Sequence, residues 1–284
     1  IAARAASLIQ NAALAGFEDD LFRAFERLLQ AKPAKDPGCL GKKAIIECLD
    51  ALDAPAPQIL LQGARHVQPE PVWGGVADTA GNLRGMCLTV LAASGHPDVL
   101  ELAVDLLMDL EPETRKGAAG ALAAYGAPEG ALLLRLKALA GDAEPAVVGD
   151  CLTGIVSLGG EGAEEFVGRF LDASQPALAE EAALALAESR SEEAWRALKG
   201  AWEANVEESF RLLLVEPIAL LRRDEGFAFL LALIESGSGA MATAAVQALA
   251  IHRSDAKRTS EVGAAVDARG EREFARVFNE AFQP

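Results

Sequence analysis

A unit of two helix-like apolar segments joined at a glycine recurs along this chain, and nothing else in the sequence limits the fold as strongly. Its fullest copy is residues 109–140, DLEPETRKGAAGALAAYGAPEGALLLRLKALA. Pro112 suits the first turn of a helix, where its missing N–H would have had no partner, and Glu111 and Glu113 suit the positive end of the helix dipole. Ala118, Ala119, Ala121, Leu122 and Tyr125 then recur at spacings of three and four, and Gly126 can take the left-handed conformation that ends a helix. Pro128 and Glu129 repeat the start signal. Leu132, Leu133, Leu136 and Leu139 give a second apolar face, until Gly141 and Asp142 break it. Helices joined this closely lie antiparallel, as a hairpin.

One apolar anchor near the end of each first helix keeps the register: Leu49, Leu91, Leu122, Ile155, Leu186, Pro217 and Leu249, at intervals of 42, 31, 33, 31, 31 and 32 residues. Second helices start near His96, Ala127, Gly160, Ser191 and Arg223, each at an acid or capping residue before an apolar-periodic run. A fixed period of this size means stacked hairpins whose core extends in one dimension. The expected architecture is all-α, an α-α superhelix of about seven to eight hairpins over residues 1–284 as a single solenoid. Residues 1–36 would form an N-terminal hairpin or cap (helices over 2–14 and 18–30), and residues 37–266 the repeats, with an insertion at 63–82. The last hairpin would span 241–251 and 260–266, and 267–284 would hold a capping helix over 271–282. Pro217 is expected to kink or shorten the first helix of its repeat.

Composition supports this and excludes several function classes. Apolar residues make up 51% of the chain but aromatics only 5%, which suits helices packed through small side chains rather than a sheet core. No apolar run reaches the roughly 18 residues that span a bilayer, and no basic start leads an apolar segment to a cleavage site. No membrane insertion and a cytoplasmic location are expected. Because the chain begins with Ile1, it reads as trimmed or as part of a longer protein. With 26 basic and 42 acidic residues the formal net charge is −16, a field that repels nucleic acid. Cys39, Cys48, Cys87 and Cys151 form no CxxC pair. Cys87 and Cys151 lie four residues before their anchors, where other repeats carry alanine, and read as small buried apolar residues. His66, His96 and His252 fall in different repeats, and no HExxH, GxSxG or phosphate-loop motif is present, so no metal, cofactor or catalytic residue is expected. Gly237, Gly239 and Ala242, with Asp255 beyond, imitate a dinucleotide fingerprint. They follow a second-helix slot rather than a strand, and read as an inter-repeat turn.

The central unit resembles the short HEAT-like repeat, similar to the repeats grouped with phycobilisome lyases. The matching positions are Pro112, Arg115, Ala118, Ala119, Ala121, Leu122, Gly126, Pro128 and Glu129, and the resemblance covers about 40–266. It lacks the ankyrin and tetratricopeptide signatures. The resemblance implies a right-handed solenoid whose second helices line a concave face that grips another protein. It does not imply an enzyme. Of the enzymes with such folds, alkylation-repair glycosylases need a basic concave face that this composition disfavours, and no residue here selects the phycobilin lyases.

Three departures from regularity are the candidate sites. The first is the insertion, which concentrates Arg65, His66, Glu70, Trp73 and Asp78 and is either a binding element or an elaborated loop whose tryptophan covers an apolar edge. The second is a run of acids in which Asp98 precedes Glu101, Asp105 and Asp109. The last three would form one stripe if the helix continues to Asp109, and that stripe is either a dock for a basic segment or an ordinary solvated face. The third is Trp195 and Trp202, seven apart with Leu198 between, either an exposed aromatic ledge or core between repeats. The leading expectation is a non-enzymatic interaction scaffold binding a protein partner, a basic segment among the forms it could take. The alternative is an enzyme or small-ligand binder using the 63–82 insertion, which would place a pocket with converging polar groups beside Trp73.

Overall fold

The capping signals become helix ends where the sequence places them. The computed structural model describes residues 1–54 and 56–282. In chain order the helices are α1 (Ala2–Asn11), α2 (Glu18–Gln30), α3 (Leu40–Ala51), α4 (Pro57–Gly63), α5 (Gly81–Ala93), α6 (Val99–Leu106), α7 (Pro112–Tyr125), α8 (Pro128–Ala140) and α9 (Pro145–Leu158). They continue as α10 (Ala163–Gly168), α11 (Pro176–Ser189), α12 (Glu192–Ala204), α13 (Glu208–Leu220), α14 (Asp224–Ser236), α15 (Gly239–Leu249), α16 (Ala256–Arg269) and α17 (Arg272–Phe282). The class is all-α, built of helical repeats in the manner of α-α superhelices. Among the described residues no helix is long and apolar enough to cross a membrane. The chain divides into two compact units, Ile1–Gly154 and Ile155–Pro284, with the boundary inside α9.

In the first unit the anchors Leu49, Leu91 and Leu122 are buried, as are all four cysteines, none of them in a disulfide. Burial pushes the Cys39 thiol up to about 11 and the Cys151 thiol up to about 12, so both are held protonated and inert. Successive first helices pack most tightly at α5 and α7, through glycine. A methyl group added at Gly117 would lie 2.6 Å from the Gly85 Cα, so the two backbones touch.

Three buried cations mark the same register position, seven residues before the anchors: Lys42, Arg84 and Arg115. Each meets an aspartate in a turn that leads into a first helix. Lys42 pairs with Asp36 at 3.0 Å, Arg84 with Asp78 at 2.6 Å and Asp109 at 2.8 Å, and Arg115 with Asp142 at 2.7 Å. Arg84 and Arg115 thereby tie one hairpin to the turn that begins the next. At the fourth equivalent position stands buried Val148, and the row stops.

Two local expectations are corrected here. Leu132, Leu136 and Leu139 do not face the core but are exposed, at 68, 66 and 56%. α8 turns a face of Gly130, Leu134 and Ala138 inward instead, because Gly130 lets it approach the Leu122 carbonyl closely, and Lys137 on that side pairs with Asp142 at 2.8 Å. The insertion, read as irregular, contains a two-stranded antiparallel hairpin of β1 (Pro69–Val72) and β2 (Gly75–Asp78), turned at Trp73 and Gly74.

In the second unit α11, α13 and α15 stack as first helices, with Leu186, Pro217 and Leu249 buried. The Ser191, Ser238 and Asp255 side chains accept from backbone N–H groups at the starts of α12, α15 and α16. Pro217 does not cut its helix short: α13 runs on through it to Leu220, with the proline ring buried.

Candidate functional site

The insertion's polar residues converge on one another, not on a cavity. Gln68, 3% exposed, is the hub. Its amide oxygen accepts from Lys42 Nζ at 2.7 Å, while its amide nitrogen donates to the Asp36 carbonyl at 2.8 Å and to Glu70 at 2.6 Å. Glu70 also accepts from Thr79 at 2.6 Å and from the Gly38 N–H at 2.8 Å. The Thr79 bond first, then those from Gln68 and Gly38, hold its carboxyl below the usual value. Asp78 accepts from the Gln68 and Ala80 N–H groups and from Arg84. Burial works to raise its pKa, but these bonds outweigh it and the carboxyl sits low. His66 meets Gln68 at 3.3 Å and gives its carbonyl to Arg84, and burial is the main cause holding its imidazole below the ordinary value. Arg65 is exposed. Trp73 stands fully exposed at the hairpin tip, at 104%. The network is a clip holding the hairpin to α3 and α5, and Trp73 at its tip lines none of the four cavities at α3–α9, at the turn before α14, at the turns after α3 and α5, and at α15.

The acidic stripe is shorter than its spacing suggests. α6 ends at Leu106, so only Glu101 and Asp105 share its exposed face, whereas Asp109 lies in the following turn, bound to Arg84 and capping the Glu111 N–H. Asp98 is half-buried and its N–H donates to His96. Of the tryptophan pair, Trp202 is core and Trp195 half-buried. Trp202 is 7% exposed, and Trp195 and Trp202 both pack against the Phe229 ring of α14, with centroids at 5.9 and 5.1 Å.

A groove of 420 Å³ crosses the first helices of the first unit, and sequence reasoning missed it. α3 contributes Ile46, Glu47 and Asp50, α5 contributes Asn82, Gly85, Met86, Thr89 and Val90, α7 contributes Glu113, Lys116 and Gly117, and α9 contributes Asp150. The touching glycines leave part of its floor as bare backbone. Its rim carries four carboxylates and one ammonium. Lys116 is bound to Glu113 at 2.6 Å, and that bond first, then the charges of Glu113, Asp150 and Glu144, raise its pKa against the opposing effect of burial, so it stays cationic. The groove is therefore electronegative, with aliphatic surface from Met86 and Val90. No shared register position marked it in the sequence: Gly85 lies six residues before its anchor and Gly117 five before its own, although in each helix only a close approach rewards glycine over alanine. Among the described residues no three His, Cys, Asp or Glu side chains gather closely enough to hold a metal ion.

No family model and no curated protein matches the chain. Among solved structures, human deoxyhypusine hydroxylase in complex with glycerol aligns over 93% of this chain and 95% of its own, at 18% identity and a TM-score of 0.37. An engineered protein aligns over 86% and 75%, at 20% identity and a TM-score of 0.39. The first of these is an enzyme by name, which stands against the non-enzymatic scaffold expected from the sequence. At such TM-scores neither likeness carries a particular activity over to this chain.

Proposed function

We propose that the chain is a small-ligand binder that holds an organic cation in the groove across α3, α5, α7 and α9. The observation that carries this is the groove's makeup: Glu47, Asp50, Glu113 and Asp150 around a floor of glycine backbone and aliphatic side chains, with Lys116 as the single counter-charge. A concave, low-dielectric wall lined by one sign of charge focuses its field on what enters it. Met86 and Val90 offer the short apolar surface that the chain of an alkylammonium would cover. The insertion contributes Asn82 directly, and by clipping α5 in place it fixes one side of the groove. The helical hairpins and their recurring period support the HEAT-like resemblance as part of the same reading.

Calorimetric titration with linear diammonium ions of roughly three to six carbons tests it. Saturable binding is expected, weakened by salt and reduced about tenfold in a Glu47→Gln/Asp50→Asn double variant, the size expected when two partly exposed charge contacts are lost. Heats of simple dilution, or equal binding by the variant, would sink the assignment.

A further inference from the structure

Three arginines meet in the second unit of this acid-rich chain. Arg190 follows α11, and Arg222 and Arg223 join α13 to α14. Together with Leu221, Asp224 and Glu225 they line a 500 Å³ cavity. The two turns are tied to each other, since Arg223 Nη1 donates to the Arg190 carbonyl at 3.4 Å.

The charges there do not balance locally. Glu225 answers Arg223 at 2.8 Å, and Asp224 pairs with Arg258 at 2.7 Å. Among the described residues no carboxylate lies within salt-bridge reach of Arg190 or Arg222. Arg223 Nε is buried with no hydrogen-bond partner, and a buried donor is normally met. Burial first, then the charges of Arg258 and Arg222, hold the His252 imidazole in the next turn below its usual value, so the uncompensated charge of Arg222 is felt there.

The backbone adds an independent observation. Arg190 and Arg222 both adopt left-handed conformations, φ +51° and +55°, just past a first helix. The turn after α7 uses Gly126 at φ +76° for the same purpose, without the steric cost of a side chain. Arginine thus stands twice where glycine would stabilise the helix end, in a turn that Ala13 and Asp53 also take after α1 and α3.

We propose that Arg190, Arg222 and Arg223 form a binding site for the phosphate group of a small molecule. Two uncompensated guanidinium groups match a dianion whose tetrahedral group has acceptors on every side, and Arg223 adds a third positive charge at the cavity wall. A single planar carboxylate would satisfy one guanidinium fork and leave the other unanswered. The open N-terminus of α14, with its N–H groups facing the same turn, adds to the attraction. This site lies in a different unit from the cation groove and stands or falls separately.

The test is titration of the intact protein with inorganic phosphate at low ionic strength, followed by calorimetry and by the side-chain resonances of the arginines. Saturable binding is expected, weakened about tenfold or more in an Arg190→Gly/Arg222→Gly variant. That variant should keep its helicity and melt no lower than the parent, because glycine suits both positions. Absence of saturable binding, or equal binding by the variant, overturns the proposal. Tighter binding of glutarate than of phosphate overturns it as well, by making the site one for carboxylates.

Discussion

At the residue scale, glycines that look alike in the sequence do opposite things. Gly117 and Gly120 lie one helical turn apart in α7, yet a methyl group at Gly117 would strike the Gly85 backbone while one at Gly120 meets nothing within 4 Å. Gly117→Ala should destabilise the fold by about 2 kcal/mol through overpacking. Gly120→Ala should stabilise it by about 0.5–1 kcal/mol through helix propensity. Urea denaturation of the two variants checks both signs at once. The sequence foresaw neither the backbone contact nor the groove above it, because a residue without a side chain leaves no mark in an apolar pattern. The buried cations are a different case. A Lys or Arg seven places before each of the first three anchors can be read from the register, and so can an aspartate just ahead of each first helix. Which aspartate meets which cation is decided by how the hairpins stack, and that had to be seen. For the same reason Asp78 was read as part of a binding insertion and Asp109 as the end of an acidic stripe, although they hold Arg84 between them.

At the element scale, the β-hairpin is exposed at its tip and tightly held at its base. Lys42 is fully buried and serves Asp36, Gln68 and the Leu28 carbonyl together. Lys42→Met should therefore cost about 3 kcal/mol, since it leaves a buried carboxylate and amide without their partner. Trp73→Ser should change stability by less than about 0.5 kcal/mol, as expected for an exposed position. Thermal melts of the two variants would separate base from tip, and equal losses would contradict this division. Removing residues 67–76 would take Gln68 and Glu70 with it, so the insertion cannot be cut out without opening the seam beneath. Helix positions were legible where proline and glycine punctuate them; α4 (Pro57–Gly63) was not read, and α16 begins at Ala256, capped by Asp255, rather than at 260. α7 begins at Pro112 and ends before Gly126, as its sequence indicates. The rotation of α8 was not legible. Leucines at a perfect helical spacing point outward there, because a neighbour's close approach selects the small-residue face over the large one.

At the scale of the whole molecule, acidity is the dominant physical property, and its cost is offset where carboxylates are locked to cations. Asp142 is bound by both Arg115 and Lys137. Burial works to raise its pKa, but these partners and the Glu144 N–H prevail, and its carboxyl is held far below the usual range. A depressed folded pKa contributes stability that is complete above the unfolded value near 4 and drains away as pH falls toward the folded one. Asp142→Asn should accordingly be less stable than the parent at neutral pH, with the gap closing below about pH 4. Denaturation midpoints taken from about pH 7 to about pH 2.5 would show whether the curves converge. A last consequence follows from the clip beneath the β-hairpin, whose bonds join residues 36 and 38 to residues 68 and 70. Repeat arrays ordinarily open one unit at a time from an end, each unit answering only to its neighbours. Here the Gln68 amide ties the hairpin to α3, while Lys42 reaches the Leu28 carbonyl of α2 and Arg84 of α5 reaches Asp78, so the segment from α2 to α5 should unfold as one foldon. In native-state hydrogen exchange the Thr79 amide, bonded to the Gln68 carbonyl at the hairpin base, should then share the opening free energy of the α3 core rather than that of a surface loop.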